Sequence, residues 1–199
     1  MDEVKFREIK GEIRVLGIDD APFKFKSREK VPLVGTVFRG GEYIEGVLKT
    51  EITSDGNDAT ERIAQMINSS RHREQIRVMM LDGITVGGFN IIDLKKLFDE
   101  THIPIIVVTR RLPDLGSVMS AIENFEDKDE KLRALNSAGE IHEVKLDSGK
   151  VFIHACGIGL EDAKKVIRLS VKRGLIPEPI RVAHLIASAM VKGESKGRA

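Results

Sequence analysis

The chain has no tryptophan, one tyrosine (Tyr43) and one cysteine (Cys156) in 199 residues. A lone thiol excludes an internal disulfide framework and a Cys-based zinc site within one chain. Any metal held here must therefore rest on oxygen or His ligands. With tryptophan absent and tyrosine scarce, stacking against a planar ligand falls to Phe, His or Arg. No stretch approaches the roughly 20 apolar residues of a membrane span. The amino-terminal segment 1–17 is charged and lacks the apolar centre of a secretory signal. A soluble, cytoplasmic protein without a membrane partner is expected. A dominant charge sign is missing too: the formal net charge is +1, an average over an uneven distribution.

What is present is a globular composition, 41% hydrophobic and 32% charged, which argues against disorder or a fibrous repeat. The length suits one core, so one domain is expected over residues 1–192, with 193–199 a flexible tail. Lys164, Lys165, Arg168, Lys172, Arg173, Arg181, Lys192, Lys196 and Arg198 make the C-terminal region basic, while Glu123 to Glu130 is acidic. A basic region suits a phosphate backbone, although a solvated helix face is the simpler reading of such a run taken alone.

Apolar periodicity sets the expected order of elements. Ile13–Asp19 reads as a buried strand ending on acid. Val31–Phe38 and the alternating Tyr43–Ile52, joined through Gly40-Gly41, complete a three-strand antiparallel meander. Ala59, Ile63, Met66 and Ile67 fall at helical spacing, with Asp58 as candidate cap. Ile76–Leu81 is a second buried strand, followed by Asp82-Gly83, a glycine-containing loop and a helix from about Asp93. Ile103–Val108 repeats the strand pattern, and Pro113-Asp114 opens a helix reaching Ile122. A hairpin around residues 145–151 precedes two helices. The first carries Leu160, Ala163, Val166, Ile167 and Val171; the second, after Pro177-Glu178-Pro179, carries Ile180, His184, Ala187 and Val191. The expected class is α/β, a mixed sheet with helices on both faces.

Asp19 and Asp82 both end buried strands, where α/β folds place their ligands. If those strands are neighbours, the two carboxylates repel unless a cation lies between them, and hard oxygen donors suit Mg²⁺ or Mn²⁺. Turn chemistry explains both positions equally well, since Asp19-Asp20 precedes Pro22 and Asp82-Gly83 is a common turn pair. His154 near Cys156 has no evident third partner for thiol chemistry, and the glycines of Gly83–Gly88 lack the ending of a Walker motif.

Four segments, in order, resemble endonuclease V of the ribonuclease H-like nucleases: Val15–Asp19, Met80–Gly83, Ile103-Pro104 through Thr109-Arg110, and Ile176–His184. The last, Pro-Glu-Pro-x-Arg-x-Ala-His, is the most specific. Asp19-Asp20-Ala21-Pro22-Phe23 and the segment Asp82–Asn90 look closer still to an archaeal family of endonuclease V-like proteins. The resemblance implies a ribonuclease H-like fold and a metal-dependent phosphodiesterase acting on DNA or RNA, with deaminated or structured sites as the candidate targets. It also implies that Asp19 and Asp82 are metal ligands, that Arg110 stands where the family has a lysine, and that His184 lies beside the metal. The sequence departs from the family in lacking the glutamate at the start of the first helix. Asp55 is the candidate replacement, Asp58 the second, and either is equally explicable as a cap or turn residue. The family's Pro-Tyr wedge is not recognisable either. A non-catalytic nucleic-acid-binding relative that has lost the third carboxylate is the alternative expectation.

Overall fold

The computed structural model describes residues 3–25 and 27–195. Its first three strands, β1 (Arg14–Asp20), β2 (Lys30–Arg39) and β3 (Tyr43–Thr53), pair antiparallel in succession. β3 has only one neighbour, so its alternation is only partly used: Ile52 is buried, whereas Tyr43, Ile44 and Val47 face solvent.

Next come α1 (Ala59–Asn68), β4 (Val78–Asp82), a short hairpin of β5 (Thr85–Val86) and β6 (Asn90–Ile91), α2 (Leu94–Thr101), β7 (Ile105–Thr109) and α3 (Leu115–Ile122). The chain continues through α4 (Lys128–Asn136), β8 (His142–Leu146), β9 (Gly149–Cys156), α5 (Leu160–Ser170) and α6 (Glu178–Lys192). Seven strands form one sheet in the order β3-β2-β1-β4-β7-β9-β8. The central β1, β4 and β7 run parallel, with antiparallel pairings on either side.

Strand alternation divides the core between two faces. Leu16, Ile18, Met79, Leu81, Ile105 and Val107 pack with Ile63 and Ile67 of α1 and with Leu94 and Leu97 of α2. Val15, Val78, Met80, Ile106 and Val108 pack with Ala163, Val166 and Ile167 of α5 and with Ile180 of α6. Each face is a continuous apolar layer, so the three central strands are covered on both sides, as parallel strands require.

Three expectations change. α4 was not expected, because its sequence KDEKLRALN is too polar to reveal a helical period; part of the acidic stretch, Asp129 and Glu130, forms its first turn, where the helix dipole favours anions. The other two changes lie on the last helices: Val171 stands in extended conformation just past α5, and Val191 is half exposed rather than on the buried stripe of α6. The basic C-terminal region is largely self-neutralised, with Lys164 on Glu161, Lys165 on Asp162, Lys172 on Glu42 and Arg181 on Glu178. Of the expected tail, residues 196–199, with Lys196 and Arg198, lie outside the described residues.

α6 packs closely across β1. Gly17 lies under Pro179, and a methyl group added there would overlap the backbone of Pro179 and Ile180. The Thr36 hydroxyl of β2 donates to the Pro179 carbonyl at 2.6 Å. Glycine thus lets the first turn of α6 rest on the strand, which sets how far the next turn reaches over the end of β1.

Candidate active site

β1 and β4 pair in the register Gly17 to Met80 and Ile18 to Leu81, so one further step sets Asp19 beside Asp82. Both fall on the face covered by α6, since Asp19 shares the side of Val15 and Gly17, and Asp82 that of Val78 and Met80. From α6, one turn past Ile180, His184 reaches down and places Nδ1 2.8 Å from Asp19 Oδ2. Arg110, exposed just beyond β7, is close enough for its charge to act on Asp82. The four residues singled out by the sequence, Asp19, Asp82, Arg110 and His184, thus converge at the C-terminal ends of the parallel strands.

The electrostatics fit a crowded carboxylate site. Burial pushes the Asp19 carboxyl above its ordinary value, the His184 hydrogen bond opposes this, and the Asp82 charge adds to the rise. Burial also raises Asp82, against the pull of Arg110 and His184. Asp20 is pushed up to about 7, by burial first and then by the charge of Asp19. His184 is held above its ordinary value chiefly by its hydrogen bond to Asp19. The result is a buried excess of negative charge that a cation would relieve.

Sequence reasoning passed over Asp20 as a turn residue. Its carboxylate Oδ2 accepts the Gly87 N–H at 2.6 Å, tying the end of β1 to the loop between β5 and β6. The Asp-Asp doublet was the available signal, because alternation sends successive carboxylates to opposite faces.

Asp55 is not brought into the group. Its Oδ1 accepts the Phe89 N–H at 2.9 Å, its own N–H donates to the Gly87 carbonyl, and its carboxylate lies against Gly88. Asp58 accepts from the Thr53 N–H and hydroxyl and from Asn90 Nδ2, with Lys30 at 3.5 Å. Both carboxylates stitch the turn before α1. Asp58 makes no capping bond with its side chain; Asn90 Oδ1 instead accepts the Ala59 N–H at 3.0 Å. Among the described residues, no three His, Cys, Asp or Glu side chains gather into a set that could hold a metal ion.

Lys131 of α4, 1% exposed, braces the same turn from behind. Its ammonium donates to the Gly56 carbonyl at 2.8 Å, the Phe89 carbonyl at 2.9 Å and Asn57 Oδ1 at 2.7 Å, with Asp127 at 3.3 Å. No sequence signal separates this lysine from the solvated charges around it.

The fold is an α/β one of endonuclease V type, a mixed sheet with acidic residues at its parallel strand ends. Endonuclease V of Bacillus subtilis superposes with a TM-score of 0.60 at 10% identity, covering 91% of this chain and 81% of that one. Endonuclease V of Ciona intestinalis, solved with a 24mer DNA containing an inosine followed by a ribo-adenosine, superposes with a TM-score of 0.59 at 16% identity, over 92% and 87% of the two chains. A crystal structure from Archaeoglobus fulgidus is more similar, with a TM-score of 0.81, 43% identity and coverage of 90% of this chain and 99% of that one. The chain belongs to the Endonuclease dU family, which matches residues 11–191. The UPF0215 protein of Methanothermobacter thermautotrophicus is 50% identical over 100% of this chain and 98% of its own. No helix among the described residues is long and apolar enough to cross a membrane.

Proposed function

We propose that this protein is a metal-dependent endonuclease that hydrolyses phosphodiester bonds at deaminated bases, in DNA or RNA, within the cytoplasm. The observation that carries the reading is the Asp19–Asp82 pair, side by side on neighbouring parallel strands, Asp19 buried and Asp82 half-buried, with both carboxyls raised. The donor set fits Mg²⁺ or Mn²⁺, since such ions are held by one or two carboxylates while water and substrate phosphate fill the other positions. When bound, the ion would polarise the phosphodiester and lower the pKa of a water nucleophile.

The remaining residues have separable roles. Arg110 grips a phosphate oxygen through its planar fork and, being always charged, does not shuttle protons. Asp19 engages His184 Nδ1, which fixes the ring and leaves Nε2 as the nitrogen that can hold or release a proton at the reacting phosphate. Asp20 holds the Gly87 loop against the site. Deaminated bases as the substrate are supported by the family description, Endonuclease dU, with dU read as deoxyuridine, and by the Ciona enzyme solved with inosine-containing DNA. Deoxyuridine and inosine are both products of base deamination.

The test is cleavage of labelled DNA and RNA, single- and double-stranded, carrying deoxyuridine or inosine, in Mg²⁺ or Mn²⁺. Cutting that needs the metal and disappears in Asp82→Asn is expected. Cutting that survives both EDTA and Asp82→Asn would sink the reading. A second reading, binding without turnover, is favoured because no three His, Cys, Asp or Glu side chains among the described residues are grouped to hold a metal ion. It requires binding that persists in EDTA and falls steeply with salt, with no product formed.

A further inference from the structure

α3 turns an apolar side to water. Its sequence, LGSVMSAI, holds no charged residue, yet within it only Ile122 is buried, packed with Ile91 and Ala134. Every other helix among the described residues carries charge. Leu115 and Met119 are 44% and 46% exposed and, four residues apart, share one face of the helix; Leu112, just before it, is 62% exposed. Gly116 and Ser120 repeat that spacing and are exposed too, and a methyl group added at Gly116 would meet only the Asp114 side chain. Apolar side chains scattered singly over a surface are ordinary, whereas a continuous stripe marks an interface. Opposite charges flank this stripe: Arg110 and Arg111 precede it, Glu123 and Glu126 follow it, and all four are exposed. Glu123 meets Lys128 through Oε2 alone, and no salt bridge among the described residues engages Arg111 or Glu126.

We propose that this face of α3 docks a second copy of the chain, the two α3 helices lying antiparallel about a two-fold axis that passes between Leu115 and Met119. Such an axis sets the same stripe on both sides of the contact. Leu115 of each copy then meets Met119 of the other, Gly116 and Ser120 let the helices approach closely, and Leu112 closes both ends. Charge sets the direction. Antiparallel helices lay the Arg111 end of one copy on the Glu123 end of the other, twice, and oppose the two helix dipoles. Parallel helices would set arginine against arginine and glutamate against glutamate. Arg111 carries the pairing, so Arg110 stays with Asp82. Two short helices bury less than the roughly 800 Å² per partner of a standard interface, so the dimer forms in the micromolar range and is not obligate.

Sedimentation velocity of the full chain across the micromolar range should show a monomer passing into a dimer. Met119→Lys, at an exposed position, should weaken the dimer about tenfold at unchanged Tm. Arg111→Glu and Glu123→Arg should each weaken it about tenfold as well, because each sets like charges against one another at both ends. An equimolar mixture of those two variants should recover wild-type association, since both ends of the mixed dimer are complementary again. A wild-type chain that stays monomeric throughout overturns the proposal; if nucleic-acid affinity then falls in Met119→Lys, the stripe belongs to nucleic acid instead. A dimer untouched by Met119→Lys, or a mixture that fails to associate, overturns the antiparallel α3 contact. The nuclease reading is decided separately, by Asp82→Asn.

Discussion

Cys156 and His154 sit two residues apart on β9, on the same side of the strand, and burial perturbs them in opposite directions. The Cys156 thiol is pushed up to about 11 from 9.0, by burial first and then by the Asp99 and Asp93 charges. Between those values the unfolded chain releases a proton that the folded chain keeps, so stability falls as pH rises through that window. His154 is held below its ordinary 6.5, chiefly by burial. As pH drops below 6.5 the unfolded chain takes up a proton that the folded chain refuses, so stability falls on the acid side as well. Tm measured against pH should lose part of its alkaline decline in Cys156→Ala and part of its acid decline in His154→Gln; unchanged profiles would contradict the burial of β9. Asn90 offers a second test. It caps α1 through Ala59 and bonds the Thr53 carbonyl and Asp58, so Asn90→Ala leaves buried partners unsatisfied. A loss of about 1–3 kcal/mol in urea denaturation is expected.

At the scale of elements, the fit of α6 on β1 depends on a missing side chain. Gly17→Ala forces the first turn of α6 off the strand, and a loss of about 1–3 kcal/mol is expected. The same displacement separates His184 from Asp19, so the imidazole titration followed by NMR should move back toward its ordinary range. α4 is held by a different device, a buried ammonium. Lys131→Met leaves the Gly56 and Phe89 carbonyls without their donor, and urea denaturation should report a loss on the order of 3 kcal/mol. The contrast explains what the sequence could reveal. β1, β4 and β7 were legible because a parallel strand covered on both faces must be apolar throughout, and Asp19 and Asp82 stand out where those runs stop. α4 has almost no apolar stripe, and the roles of Lys131 and Asn90 arise only when distant loops meet, so neither could be read from local pattern. Asp55 shows the same limit, for an Asp-Gly turn beside a helix start gives no hint of whether its carboxylate faces a metal or a backbone N–H.

For the molecule as a whole, the site is a concentration of negative charge that the fold tolerates at a cost. On the proposed function, Mg²⁺ binds the folded state alone and raises Tm as its concentration passes Kd. Asp82→Asn should abolish that rise. In metal-free buffer the same variant should melt at a higher temperature than the wild type, because a half-buried charge beside Asp19 has been removed. If magnesium stabilises the variant as strongly as the wild type, the carboxylate pair is not where it binds.

The hydrogen bond between His184 and Asp19 spans 165 residues of chain. Any chain that has not yet reached His184 has made the acidic strand without the imidazole that closes on it, so the pair forms only when two distant segments meet. The raised titration of His184 is therefore a property of the assembled fold, present only once α6 is seated over Gly17.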